Sequence, residues 1–201
     1  MEKIAVDAVL LPSDEIAARA IEANRELQKQ CPGGIILDRE TCLPHISLAM
    51  GCINHGDIAS IGGILRELAE KNHPSELISV GIHVGTNAAG EKVSSLKLER
   101  TETLQSLHEE VMRGLEPYFS HDVTAEMVLS PPQACESTLR WIREFPEKSS
   151  FQRFFPHITL GYGQLADFTF PAEFDAQKLA LCHLGNHCTC RKILTSAEIQ
   201  S

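Results

Sequence analysis

Apolar and polar positions along the chain fall into two rhythms, one of period two and one near 3.6. Residues 3–12, "KIAVDAVLLP", are almost wholly aliphatic, which predicts a buried strand closed by Pro12. Ile16, Ala20, Ala23 and Leu27 then recur at helical spacing, predicting a helix over 14–30. Ser13 is its expected N-cap, with Asp14 and Glu15 in the first turn. The run Cys31-Pro32-Gly33-Gly34 breaks that helix, and a short strand is expected at 35–37. Helices are predicted over 57–71, with Gly62-Gly63 as a weak spot, and over 102–119. Strands are predicted over 75–86, 92–100 and 122–130, and Pro131-Pro132 is expected to open a helix running to Phe145. Near the C-terminus, "DAQKLALCHLG" and "HCTCRKILT" flank Gly185-Asn186 as a hairpin. Interleaved helices and antiparallel pairs favour an α+β fold over a doubly wound sheet. No low-complexity linker divides the chain, so 1–201 reads as a single domain.

One phrase is written twice. Residues 43–51 read "LPHISLAMG" and residues 155–163 read "FPHITLGYG", sharing Pro, His, Ile, Leu and Gly in register, with Ser47 matching Thr159. In a strand alternate side chains share a face, so His45 sits beside Ser47 and His157 beside Thr159. Ile46, Leu48, Ile158 and Leu160 anchor the opposite face, and the proline before each histidine favours extended backbone. A neutral imidazole can accept a proton and a protonated one can donate, and an ordinary pKa of about 6.5 lets both forms coexist near neutrality. Hydroxyls two residues on can hold the nonbridging oxygens of a phosphate. A lone H-x-[ST] match is a weak signal. Two copies inside the same longer phrase are a strong one.

The two phrases resemble the paired H-hydrophobic-[ST]-hydrophobic motifs of the two-histidine (2H) phosphoesterase superfamily, and within it the 2′-5′ RNA ligase and cyclic phosphodiesterase group. The closing "LCHLGNHCTCRKIL" is similar to that family's terminal hairpin. The resemblance implies a two-lobed α+β fold with pseudo-twofold symmetry, antiparallel sheets lining a central cleft, helices outside, and one motif from each lobe. It implies a metal-independent phosphodiesterase acting on 2′,3′-cyclic phosphate or a related 2′-linked diester in RNA processing, reversible as ligation and needing no cofactor. It assigns His45 and His157 as the acid/base pair and Ser47 and Thr159 as phosphate ligands. Which histidine is the base, and which direction is preferred, stay open.

Charge narrows the substrate. The net charge of −9 repels a long polyanion, so a small cyclic phosphate or a short RNA or oligonucleotide end is expected. Lys92, Lys97, Arg100, Arg140, Arg143, Lys148, Arg153 and the Arg191-Lys192 pair are the basic groupings that could serve it. No stretch of 18 apolar residues and no secretory leader are present, so a cytoplasmic monomer without membrane or obligate protein partner is expected. Seven scattered cysteines without an export signal are expected to be reduced. Cys182, His183, His187, Cys188 and Cys190 crowd within nine residues and raise a zinc reading, yet their spacing fits no common finger and no metal is expected. Phe154, Phe155 and Tyr162 flank the second motif as stacking candidates, with core packing as the competing fate. Two rival functions remain: a noncatalytic nucleotide- or RNA-binding module on the same fold, and a zinc-dependent hydrolase.

Overall fold

In the computed structural model, which describes residues 2–72, 76–87, 90–129 and 134–199, the first aliphatic run forms β1 (Lys3–Pro12) and the amphipathic segment after it forms α1 (Asp14–Gln30). The chain continues through β2 (Ile46–Asn54), α2 (Ile58–Lys71), β3 (Leu77–Thr86), β4 (Lys92–Leu98), α3 (Glu102–Leu115) and α4 (Glu136–Lys148). It closes with β5 (His157–Tyr162), β6 (Glu173–Phe174), β7 (Ala176–Leu184) and β8 (Cys190–Glu198). The strands lie in the order β6-β3-β4-β5-β2-β1-β7-β8, and every pairing between them is antiparallel. This is the α+β architecture that the periodicities predict.

Two four-strand halves meet at the centre, where Ile46 of β2 pairs with Ile158 of β5. The halves repeat one another in detail. β2 carries a bulge at Leu48, where Ala8 and Val9 of β1 face Ala49 and Ser47, and β5 carries one at Leu160, where Ser94 and Ser95 of β4 face Gly161 and Thr159. The helices cross the seam reciprocally: α1, which follows β1, packs on β5, while α3, which follows β4, packs on β2 together with α4. α2 covers β7 and β8, and its weak spot is a packing device. A Cβ on Gly62 would lie 2.8 Å from Thr195 Oγ1, so glycine lets the helix approach β8. β1 has β2 on one side and β7 on the other and is buried from Ile4 to Leu10, which explains its unbroken aliphatic character apart from Asp7.

Three expectations need correction. Ile35 and Leu37 are buried around exposed Ile36, so the alternation is real, but this segment is not a strand. Side chains of α1 replace the ladder. Asn24 Nδ2 donates to the carbonyls of Ile35 (2.9 Å) and Leu160 (2.7 Å), and its Oδ1 accepts from the Leu37 amide at 3.0 Å. Residues 122–129 form a 3₁₀ turn at Ala125–Met127 and a lone bridge from Leu129 to Gly185, because both edges of the neighbouring β7 are already occupied by β1 and β8. Pro131-Pro132 lies outside the described residues. The thiols are not uniformly reduced: a register shift in the β7–β8 pair brings Cys182 and Cys190 to a Cα separation of 5.6 Å, and they form a disulfide. Among the described residues, no helix is long and apolar enough to cross a membrane.

Candidate active site

The central Ile46–Ile158 pair sets the geometry of the repeated phrases. Both isoleucines are fully buried, as are Leu48 and Leu160. The pleat therefore turns His45, Ser47, His157 and Thr159 to the opposite face, and all four remain partly exposed. One step either side of the central pair, His45 falls opposite Thr159 and Ser47 opposite His157. On an ideal antiparallel pair, opposed Cβ atoms are about 5 Å apart and diagonal ones roughly 7–8 Å. The two histidines occupy the diagonal. All four residues singled out in the sequence come together.

The two rings are held alike. His45 Nδ1 lies 2.8 Å from the Leu43 carbonyl and His157 Nδ1 lies 2.8 Å from the Phe155 carbonyl, each two residues back along the chain. A carbonyl only accepts, so Nδ1 carries the hydrogen in both rings and Nε2 is the basic nitrogen. Burial pushes the His45 pKa down to about 4; the Leu43 carbonyl opposes this and the charge of His157 reinforces it. Burial likewise lowers His157, opposed by the Phe155 carbonyl and reinforced by His83. Both imidazoles are thus neutral at neutral pH. An anion bound between them favours protonation of one, which leaves one acid and one base.

Comparison with solved structures bears on this arrangement. LigT of E. coli, in its apo form, matches over 100% of both chains with a TM-score of 0.54 at 15% sequence identity. The chain has the fold of LigT. A second solved structure, a phosphoesterase, matches over 98% of this chain and 99% of its own with a TM-score of 0.50 at 12% identity. No family profile and no curated protein sequence matches the chain.

Within the LigT-like sheet, the two hydroxyls differ. Ser47 Oγ sits 2.6 Å from Oδ2 of Asp7 on β1, which itself lies 4.0 Å from His45 Nε2. Asp7 is fully buried, and burial pushes its carboxyl well above the usual carboxylate range against the pull of the Ser47 hydroxyl. While Asp7 is ionised, Ser47 donates to it. Once Asp7 is protonated, Asp7 donates to Ser47 and the serine proton is released to point elsewhere. Thr159 has no hydrogen-bond partner for its hydroxyl among the described residues, and its cross-strand neighbour on β4 is Ser95. Asp7 was missed by sequence reasoning, although a single acid inside "KIAVDAVLLP" was a visible signal.

The remaining candidates separate cleanly. Phe154 is buried, with its ring stacked on His108 at 4.1 Å. His108 is a structural histidine, with Nδ1 bonded to the Leu48 carbonyl and Nε2 accepting from the Phe151 amide, so it ties β2 to the approach to β5. Tyr162 directs its hydroxyl to His187 Nδ1 at 2.9 Å, and Phe155 stands exposed beside His157. Arg191 lies along Gly185, where a Cβ would fall 2.3 Å from its Cγ. In the closing hairpin Cys182 and Cys190 are bonded to each other, and His183 Nε2 meets the Met127 carbonyl at 3.0 Å. Among the described residues, no three His, Cys, Asp or Glu side chains converge as metal donors.

Proposed function

We propose that the chain is a metal-independent phosphodiesterase that hydrolyses a 2′,3′-cyclic phosphate, or a related 2′-linked diester, on a small molecule or a short RNA end. The observation that carries this reading is the Ile46–Ile158 register, which sets each motif histidine opposite the other motif's hydroxyl on one partly exposed face. The likeness in fold to LigT and to a phosphoesterase supports it.

The chemistry follows from the rings. The neutral histidine takes a proton from water at Nε2 as the water oxygen bonds to phosphorus. The protonated histidine gives its Nε2 proton to the 2′ or 3′ oxygen as the ring P–O bond breaks. One proton is gained and one is lost, so the pair ends with its roles exchanged, and a 5′-hydroxyl attacking phosphorus in place of water, with the 3′ oxygen departing, would give a 2′-5′ linkage by the same two proton transfers. Charge building on the nonbridging oxygens meets the hydroxyls of Ser47 and Thr159. A protonated Asp7 lets Ser47 turn its hydrogen to the phosphate without losing its partner.

Turnover of nucleoside 2′,3′-cyclic phosphates tests the reading. His45→Ala and His157→Ala are each expected to lower kcat by about 10²–10⁴-fold, the usual worth of a general acid or base. Activity of the wild type is expected to survive EDTA. Variants that match the wild type, or activity abolished by chelation and restored by zinc, would overturn it.

A further inference from the structure

The face that carries the histidines extends outward across β4 and β3. Lys97 lies directly opposite His157, and Gly81 opposite Lys97; Ser95 lies opposite Thr159, and His83 opposite Ser95. Directly opposed residues in antiparallel strands share a face, so Lys97 and His83 point the same way as the paired histidines. The floor between them is shallow: Ser95 is small and buried, and a Cβ added at Gly81 would meet no atom within 4 Å. Over this floor stands Phe155, 41% exposed. Its ring is fixed on three sides, with His83 edge-on at 5.4 Å, His157 tilted at 5.4 Å, and Lys97 Nζ 5.7 Å from its centroid. Lys97 has no carboxylate within ion-pair reach among the described residues, in a chain whose net charge is −9.

The geometry points to a nucleoside subsite formed by Phe155, Lys97 and His83, which takes a purine or pyrimidine ring on Phe155 and places the Lys97 ammonium against the phosphate beside His157. This rests on the phosphodiesterase reading and specifies its substrate as one that bears a base. An aromatic ring held among side chains offers a π-face to any base, and Lys97 adds a positive charge to the single one that the acid histidine brings to the bound phosphate. His83 holds the Phe155 ring on edge and is a positioning residue.

The test compares adenosine 2′,3′-cyclic phosphate, a dinucleotide ending in the same cyclic phosphate, and the base-free methyl riboside 2,3-cyclic phosphate. Stacking is worth about 1–3 kcal/mol per base, so Phe155→Ala is expected to raise KM roughly 5–150-fold for the two base-bearing substrates and leave the base-free one unchanged. Lys97→Ala is expected to lower kcat/KM for all three by about tenfold or more, with a weaker dependence on salt. His83→Ala is expected to show a milder version of the Phe155→Ala pattern. A Phe155→Ala effect equal on base-bearing and base-free substrates overturns the subsite while leaving the phosphodiesterase reading intact. If the wild type turns over none of the three, that reading fails, and calorimetric titration of adenosine 3′-monophosphate decides the subsite. Binding weakened by both Phe155→Ala and Lys97→Ala then supports it, and unchanged binding overturns it. Relative rates on the mononucleotide and the dinucleotide show which source of the base the subsite serves.

Discussion

Replacing His45 with glutamine removes a titrating group from a position where the folded chain resists protonation. The ordinary value for the ring is 6.5, and burial lowers it to about 4. Its side chain is 12% exposed, so solvent does little to relieve that burial. Between those two values the unfolded chain binds a proton at residue 45 that the folded chain refuses. Stability therefore falls as pH falls through this window and levels off below it. At about 1.4 kcal/mol for each pH unit, the wild type loses about 3 kcal/mol that the glutamine variant keeps. Urea unfolding followed by far-ultraviolet circular dichroism at several values from about pH 7 to about pH 4 reads the difference, which amounts to a midpoint shift on the order of 1 M. Other titrating groups contribute to both proteins and cancel unless they touch the ring. Asp7 does touch it, so the comparison is repeated in an Asp7→Asn background. Stability curves for wild type and variant that stay parallel to within about 0.5 kcal/mol across the window would refute the reasoning.

Asp7→Asn carries the opposite sign. With its carboxyl raised above the usual range, the folded wild type loses stability as pH rises through the folded value, so the variant is expected to gain on the wild type near pH 8 and not near pH 3. Equal differences at both pH values in urea unfolding would count against a raised Asp7. Asn24→Ala strands the Leu160 carbonyl and the Leu37 amide, while the Ile35 carbonyl keeps its bond from Gln28 Nε2 at 2.8 Å. Two stranded buried groups at about 1–3 kcal/mol each predict a loss of roughly 2–6 kcal/mol, and a loss below about 1 kcal/mol would show that water satisfies them.

What the sequence disclosed was local. The aliphatic run of β1 and the spaced apolar face of α1 are each written in consecutive residues, and both appear with the expected bounds. The same holds for the alternation of His45 and Ser47 against Ile46 and Leu48. Contacts between distant segments were not legible. Asp7 became a partner of Ser47 only because β1 pairs with β2, and Lys97 became a neighbour of His157 only because β4 pairs with β5. Ile35–Leu37 shows the alternation of a strand, yet Asn24 satisfies its backbone, and no propensity encodes that substitution. Residues 122–129 carry the composition of a strand but find both edges of β7 filled. Cys182 and Cys190 were eight positions apart in a hairpin whose register shift could not be read from the residue types.

A half-turn about the midpoint between Ile46 and Ile158 carries His45 onto His157 and Ser47 onto Thr159. Two identical halves would hold a cyclic ester equally well in either orientation and could not choose which of its two ring oxygens departs. The matched bulges show where that equivalence ends: the half-turn lays Asp7 over Val93 and Leu11 over Lys97. One half thus contributes a buried acid and the other a cation. For the cyclic-ester substrate proposed above, regiochemistry would then be governed by residues outside the repeated phrase, and exchanging them between β1 and β4 is the route to inverting it.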